Sequence, residues 1–411
     1  MKLNNIPEII HNNYTSLNET KRECLYQNSY ISPWTTFASL GLLYILALTW
    51  YYKNRKSMCL PVPETIFPYT KRLKKLQKIL EPYLVDDVFI ELTDHKLGQG
   101  SIGFVFKGFV YPKTQTRFKQ KKCAAIKLSY PIPQQSIGLL EEAARLSRLN
   151  HPNIVKLIAI SRLSFSAFRP MFAMEWLSGG SLAEFFKNLR TSKNENEKYG
   201  KKVYVRQIIN VLSQVGEALK YIHESRDQDG SEFTHGDVAA RNVLLTHRDL
   251  ENCIAKLGDF GLPIDFGPRL PIPYLPPEIV CAADFLQCVH RVEADVYMFG
   301  VLGWECATLG AEPHYQKSFE EIQKSLSERD RGLKRPKHTP DDYWEFILKC
   351  LDDQHRRPRF TGKNTANILT TLEKLSKQYI NSTEYFTIVQ NTSNCTCRQH
   401  RCGMPLPSFT Q

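Results

Sequence analysis

Two short segments, separated by a brief linker, constrain this chain more than any other feature. The first is Thr234-His235-Gly236-Asp237-Val238-Ala239-Ala240-Arg241-Asn242. It sets a carboxylate and, five positions on, a carboxamide ahead of the apolar, strand-like run Val243 to Leu245. The second, Leu257-Gly258-Asp259-Phe260-Gly261-Leu262, puts another carboxylate after the apolar pair Ile254 and Leu257 and before a Phe-Gly turn. Phosphoryl transfer needs such a set: one carboxylate to accept a hydroxyl proton, and an Asp and an Asn to hold Mg²⁺ on a nucleotide. A lone Asp-Phe-Gly would carry little weight. Two segments in this order and spacing carry far more.

Upstream residues extend the pattern. Leu97-Gly98-Gln99-Gly100-Ser101-Ile102-Gly103-Phe104-Val105 follows an apolar-alternating stretch, Val88 to Leu97. Glycines let a hairpin close over phosphates with backbone N–H groups turned inward. A dinucleotide fingerprint would require a helix next, whereas Phe104 to Gly108 reads as a strand. Ala124-Ala125-Ile126-Lys127-Leu128 is an apolar strand apart from Lys127, and a Lys in that setting must find an anion. Leu139 to Leu149 reads as a helix in which Glu141 and Glu142 are both available as the partner. Pro170 to Leu177 reads as a buried strand running into a hinge, and Val203 to Ser225 as a long helix.

From about Asp86 to Gln378 the chain resembles the protein kinases, and Ala239-Ala240-Arg241-Asn242 resembles their tyrosine-specific branch. The resemblance implies an α+β, two-lobed protein-kinase fold. A small β-rich lobe with one main helix would span 86–177, and a larger helical lobe 178–378. It implies ATP and Mg²⁺ as cofactors and tyrosine-bearing proteins as substrates. Asp237 would accept the hydroxyl proton, Arg241 would orient Asp237 and the incoming phenol, and Asn242 and Asp259 would hold metal. Lys127 would pair with a helix Glu. The family's spacing to His151-Pro152-Asn153 selects Glu142, with Glu141 the alternative. Leu97, Gly98, Gln99, Gly100, Ser101, Gly103 and Val105 would cover the nucleotide. Met174 would be the gatekeeper behind the adenine, with backbone groups near Glu175 and Leu177 bonding the base. Glu278 would pair with Arg357, and Asp295 would accept hydrogen bonds from the catalytic-loop backbone.

The chain also departs from the family. Gly236 stands where His-Arg-Asp has Arg, the residue that normally pairs with a phosphorylated activation-loop residue. Leu262 to Pro273 contains no Ser, Thr or Tyr, and it carries Pro263, Pro268, Pro271 and Pro273. Tyr274 aligns with the usual Trp. Phosphate acceptor and phosphate-reading Arg are missing together, which predicts a kinase not switched by activation-loop phosphorylation. The same losses, with Pro263 directly after Asp-Phe-Gly-Leu, feed the alternative of a pseudokinase-type membrane-anchored scaffold.

The amino-terminal part is of another kind. Trp34 to Tyr52 contains no charged residue. As a helix, about 19 residues span about 28 Å, the thickness of a hydrocarbon core. Aromatic residues flank both ends, and Lys53, Arg55 and Lys56 follow, so the rule of positive charge inside predicts a single-pass protein with residues 1–33 outside and the kinase domain cytoplasmic. Asn13 and Asn18 begin glycosylation sequons in that outer segment. It is too small for a folded ligand-binding core without staples, and dimerisation through the span or Cys24 is left open. Residues 53–85 read as a basic juxtamembrane linker, in which Leu73, Leu76, Ile79 and Leu80 recur at helical spacing opposite a basic face. The net charge of +12 admits nucleic acid or anionic lipid as partner. The cluster just inside a predicted membrane favours lipid and no nucleic acid. The 11 Cys are scattered without disulfide or metal spacing through the large domain, which suits reduced thiols. Residues 379–411 read as a disordered tail, with Tyr379 and Tyr385 as candidate phosphorylation sites.

Overall fold

Glycine at two positions lets the strands of the small lobe approach as closely as they do. A Cβ on Gly103 would lie 1.7 Å from the carbonyl oxygen of Leu128, and one on Gly108 would lie 2.3 Å from that of Glu91. The computed structural model describes residues 41–46, 69–100, 102–112, 121–166, 169–191, 202–226, 230–261, 271–282, 291–362 and 367–389. The chain divides into two units, Met1–Leu60 and Pro61–Gln411. In the first, residues 41–46 of the predicted 34–52 span are described; they are helical, and every one is exposed. Among the described residues no helix is long and apolar enough to cross a membrane. The rest of the span, the sequons at Asn13 and Asn18, and Cys24 lie outside them.

The second unit begins with helix α1 (Thr70–Leu80) and strand β1 (Leu84–Val85). Then come β2 (Ile90–Gln99), β3 (Gly103–Val110), β4 (Lys122–Ser129), helix α2 (Pro133–Leu146), β5 (Leu157–Ser161) and β6 (Met171–Glu175). These strands form one six-stranded sheet in the order β1-β5-β6-β4-β3-β2. The β1–β5 pair is parallel and the other pairs are antiparallel. The β2–β3 ladder slips in register around Lys96, next to the glycine hairpin.

The remainder is mainly helical. It comprises β7 (Gly180–Ser181), α3 (Leu182–Thr191), β8 (Val203–Tyr204), α4 (Val205–Glu224), β9 (Val243–Leu245), β10 (Ala255–Leu257) and α5 (Val292–Ala307). Helices α6 (Phe319–Ser325), α7 (Asp341–Cys350) and α8 (Ile368–Tyr379) follow, then strand β11 (Tyr385–Phe386). Helix α4 opens where the Gln207 side chain accepts from the Tyr204 N–H at 2.9 Å, satisfying a donor at the helix start. Its buried face, from Val205 through Ile222, recurs at helical spacing and joins the main core. Helix α5 is buried on every side, as its nearly uninterrupted apolar sequence requires.

Four boundaries differ from the sequence reading. The domain starts before Asp86: Leu73, Leu76, Leu80 and Leu84 are all buried in the main core. Residues 70–80 of that linker are therefore a docked helix, whose leucine repeat found its partner in the domain. Helix α2 runs from Pro133 to Leu146 and not from Leu139 to Leu149, because Pro133 is well suited to a first helical turn. The tail is ordered as far as Val389. Phe386 is fully buried, its ring 5.1 Å from that of Tyr343, and β11 pairs with β8, which also takes Val203 and Tyr204 out of the predicted long helix. Tyr379 is buried and donates to Asp342 at 2.6 Å, so its hydroxyl is not presented for phosphorylation. Residues 390–411 lie outside the described residues.

Candidate active site

Strand β4 presents Lys127 where its neighbours demand apolar side chains, and the lysine resolves the conflict by ion pairing. Its Nζ lies 2.8 and 2.7 Å from the two Glu142 oxygens and 2.9 Å from Asp259 Oδ1. Both members of the Lys127–Glu142 pair are buried. Burial works against the charged ammonium, but the Asp259 and Glu142 carboxylates outweigh it and hold the Lys127 pKa above its ordinary value. Glu142 is thus the partner, and Glu141 is not. Burial would raise the Asp259 carboxyl, yet the adjacent Lys127 keeps it below its ordinary value. Asp259 holds φ at 61°, a left-handed conformation that Asp tolerates better than most residues. Its side chain stays half-exposed toward the cleft.

Asp237 stands on the loop before β9. Arg241 donates to its Oδ1. The Asn242 amide nitrogen donates to its Oδ2 at 2.8 Å and to its carbonyl at 2.7 Å. Because the carboxamide is planar, the Asn242 carbonyl oxygen faces the other way, the atom a cation would use. The loop itself is anchored from below. The backbone N–H of His235 and that of Gly236 each donate to Asp295, both at 2.8 Å. The N–H of Ala240 donates to Glu305 Oε2 at 3.0 Å. His235 Nε2 lies 3.0 Å from the Gly258 carbonyl oxygen, and the Gly258 N–H donates to the backbone carbonyl of Asn242 at 2.9 Å. These two bonds tie the Asp237 segment to the Asp259 segment. Burial lowers the pKa of His235, so its ring is held neutral.

The covering hairpin is closed by the Gly100 N–H donating to the Gly103 carbonyl at 2.9 Å. Gln99 reaches Tyr130 Oη at 2.6 Å. Cβ atoms added at Gly98 or Gly100 would meet nothing within 4 Å. Packing within the chain does not require glycine there, and open space over the cleft suits a phosphate cradle. Val105 pairs in register with Lys127, and Leu97 is partly exposed at the same edge. Ser101 lies outside the described residues. Met174 and Glu175 end β6, and Leu177 follows in the hinge. The Glu175 N–H already donates to the Lys156 carbonyl at 2.9 Å, so that N–H is not available to a base. The Glu175 carboxylate is 2.9 and 3.0 Å from Lys256 Nζ, an ion pair between the hinge and β10.

The residues present fit a magnesium nucleotide. A buried ammonium, a half-exposed Asp and an Asn carbonyl converge beneath a hairpin whose glycines leave the cleft open. Among the described residues no group of three or more His, Cys, Asp or Glu forms a metal site by itself. A cation here would therefore draw on phosphate oxygens as well as Asp259 and Asn242.

Some working residues escaped the sequence reading. Arg145, on α2, donates to the Thr234 carbonyl and lies 4.4 Å over the Phe233 ring. Glu305 accepts from Tyr274 Oη at 2.9 Å as well as from Ala240, and the Arg241 guanidinium lies 4.6 Å over the Tyr274 ring. For Glu305 the available signal was a lone charge inside an apolar helical run; Arg145, beside Glu141, Glu142 and Arg148, carried none. Arg357 and Glu278 pair as expected, at 2.8 Å between Nη2 and Oε2.

The family described as protein tyrosine and serine/threonine kinase matches residues 92–365. The chain is 45% identical over 376 residues to the protein nipi-4 of Caenorhabditis elegans, covering 91% of this chain and 94% of that one. It is 27% identical over 285 residues to the tyrosine-protein kinase transforming protein ros of UR2 avian sarcoma virus, covering 66% of each. It is also 27% identical over 277 residues to the human proto-oncogene tyrosine-protein kinase ROS, of which that match spans 11%.

Proposed function

Because this chain belongs to the protein tyrosine and serine/threonine kinase family, we propose that it is an active tyrosine kinase tethered to a membrane. The γ-phosphate of ATP passes to a tyrosine hydroxyl of a protein substrate. The phenol oxygen forms the new bond to phosphorus, the bond to the β–γ bridging oxygen breaks, ADP leaves, and the phenol proton goes to Asp237 Oδ. Arg241, on the other Asp237 oxygen, orients that carboxylate and offers positive charge beside the incoming phenol. Lys127, positioned by Glu142, meets the α- and β-phosphates. Mg²⁺ held by Asp259 and Asn242 would neutralise the charge that builds up on the phosphate oxygens.

The observation that carries this reading is that Lys127 Nζ lies within 2.9 Å of carboxylate oxygens of both Glu142 and Asp259. Support for tyrosine comes from Ala239-Ala240-Arg241-Asn242, from the Arg241–Asp237 contact and from relatives bearing that name. Support for the membrane comes from the uncharged run 34–52, whose residues 42–46 are all large, apolar and exposed. The exposed Lys71, Lys74, Lys75 and Lys78 of α1 would face anionic lipid, at about 1 kcal/mol each near the surface.

A second reading, a scaffold that binds nucleotide or partners without chemistry, is favoured by Gly236 in place of Arg and by Pro263. Phosphotyrosine formation and Mg·ATP binding, measured separately on the whole chain, discriminate the two. Asp237→Asn should retain binding and lose about 10²–10⁴-fold in transfer, the range a positioned base contributes. Lys127→Ala should lose transfer as well. Binding without transfer, indifferent to Asp237→Asn, would leave the scaffold.

A further inference from the structure

Helix α2 is engaged on three sides. On its inner side Glu142 grips Lys127 at 2.7 Å. One turn further on, Arg145 donates to the Thr234 carbonyl, immediately before His235-Gly236-Asp237. On its outer side lies α1. Leu73, Leu76 and Leu80 of α1 share one buried core with Ile137, Leu140 and Ala144 of α2. Arg72 Nε donates to Glu141 Oε1, so the residue next to Glu142 is the one that α1 holds. Just past α1, Tyr83 Oη donates to the carbonyl of Ser147, the residue that ends α2, at 3.2 Å.

A helix that carries the lysine's partner must be held inward for the ion pair to form. The usual way of securing this part of the cleft, a phosphate read by the Arg before Asp237, has no Arg here and no hydroxyl from 262 to 273. We propose that α1 is a built-in clamp that holds α2, and with it the Lys127–Glu142 pair, in the working position without any phosphorylation, and that Arg72 is a positioning residue of the kinase. This rests on the reading of the chain as an active kinase. The clamp's apolar face is spent on α2, while its basic face, with Lys71, Lys74, Lys75 and Lys78, points away from the domain. A ligand for that face therefore meets charge and no leucines. The clamp and a surface contact can coexist on the same eleven-residue helix.

The test uses the whole chain and two readouts, hydrogen exchange of the α2 amides and the KM for Mg·ATP. Arg72→Glu breaks the exposed ion pair and should speed α2 exchange about threefold, the size such a pair supports. It should raise KM for ATP in parallel, with kcat less affected. The exchanged pair, Arg72→Glu with Glu141→Arg, should restore both. Leu76→Ala removes buried contact and should speed α2 exchange by about thirtyfold or more, while the amides of α4 in the large lobe stay protected. Unchanged α2 exchange in both Arg72→Glu and Leu76→Ala would overturn the clamp, as would a loss in Arg72→Glu that the exchanged pair fails to repair. If the unaltered chain transfers no phosphate, the kinase reading fails. The exchange readout still decides whether α1 holds α2.

Discussion

Gly236 shows how one residue can be read twice. By sequence it is a missing Arg. In the fold it is the residue whose φ is 82°, and its N–H is one of the two that Asp295 holds. Only glycine adopts that conformation without cost. A side chain there costs about 1–2 kcal/mol. Gly236→Ala and Gly236→Arg should therefore both lower stability by about that amount in denaturant titration. Gly236→Arg should bring no phosphorylation-dependent rise in activity, because residues 262–273 offer no hydroxyl to phosphorylate. A variant as stable as the parent, or a large phosphorylation-dependent gain, would contradict this account. Glu141 and Glu142 make the same point in pairs. They are adjacent and chemically identical, yet one is buried against Lys127 and the other joins Arg72 at the surface.

At the scale of elements, α5 does more than fill the core. Asp295 near its start and Glu305 near its end each accept from the catalytic-loop backbone, so one rigid helix sets the height of Asp237 at two points. His223 supports Asp295 from α4 at 2.9 Å. Burial outweighs the Ala240 and Tyr274 hydrogen bonds and the nearby Arg241, and pushes the Glu305 pKa up to about 7 from an ordinary 4.5. The sign follows from linkage: with the folded value above the unfolded one, the folded state binds the proton more tightly. That contribution to stability is complete below about pH 4.5 and is lost as pH rises through about 7. Asp295 behaves oppositely. Burial would raise its pKa, but the His223 hydrogen bond and neighbouring donors lower it below 3.8, so its contribution is present above that pH and lost below it. Glu305 should therefore contribute a loss of stability between pH 5 and pH 8, and Glu305→Gln should remove that loss relative to the parent, by up to roughly 3 kcal/mol. Equal slopes in parent and variant would show that Glu305 does not carry the effect.

At the scale of the whole molecule, the apolar run and the kinase domain ask for different surroundings. Residues 42–46 are exposed and uniformly apolar, whereas the second unit buries its own core. A chain spanning residues 1–411 should stay with membranes after alkaline and high-salt washing. A chain starting at Pro61 should be released by salt, since only the basic face of α1 would then attract anionic lipid. Release of the whole chain by salt alone would remove the membrane from the proposal.

Much of this was legible along the chain, because the chemistry sits in local patterns. The Asp237–Asn242 spacing, the Asp-Phe-Gly at Asp259 and the lone Lys127 in an apolar strand each carry their meaning within a few residues, and so does the glycine hairpin. Local pattern also announced the leucine repeat of α1, but not its partner. Whether that face meets lipid, solvent or α2 depends on which surface lies opposite, and that is known only once the chain has folded. The same holds for Arg145 and Glu305, whose partners are backbone groups 89 and 65 residues away. It holds for Phe386 too, whose burial turns an apparent tail into a strand. A residue's type and spacing determine what it can do; the long-range contacts that close the core decide which of those things it does.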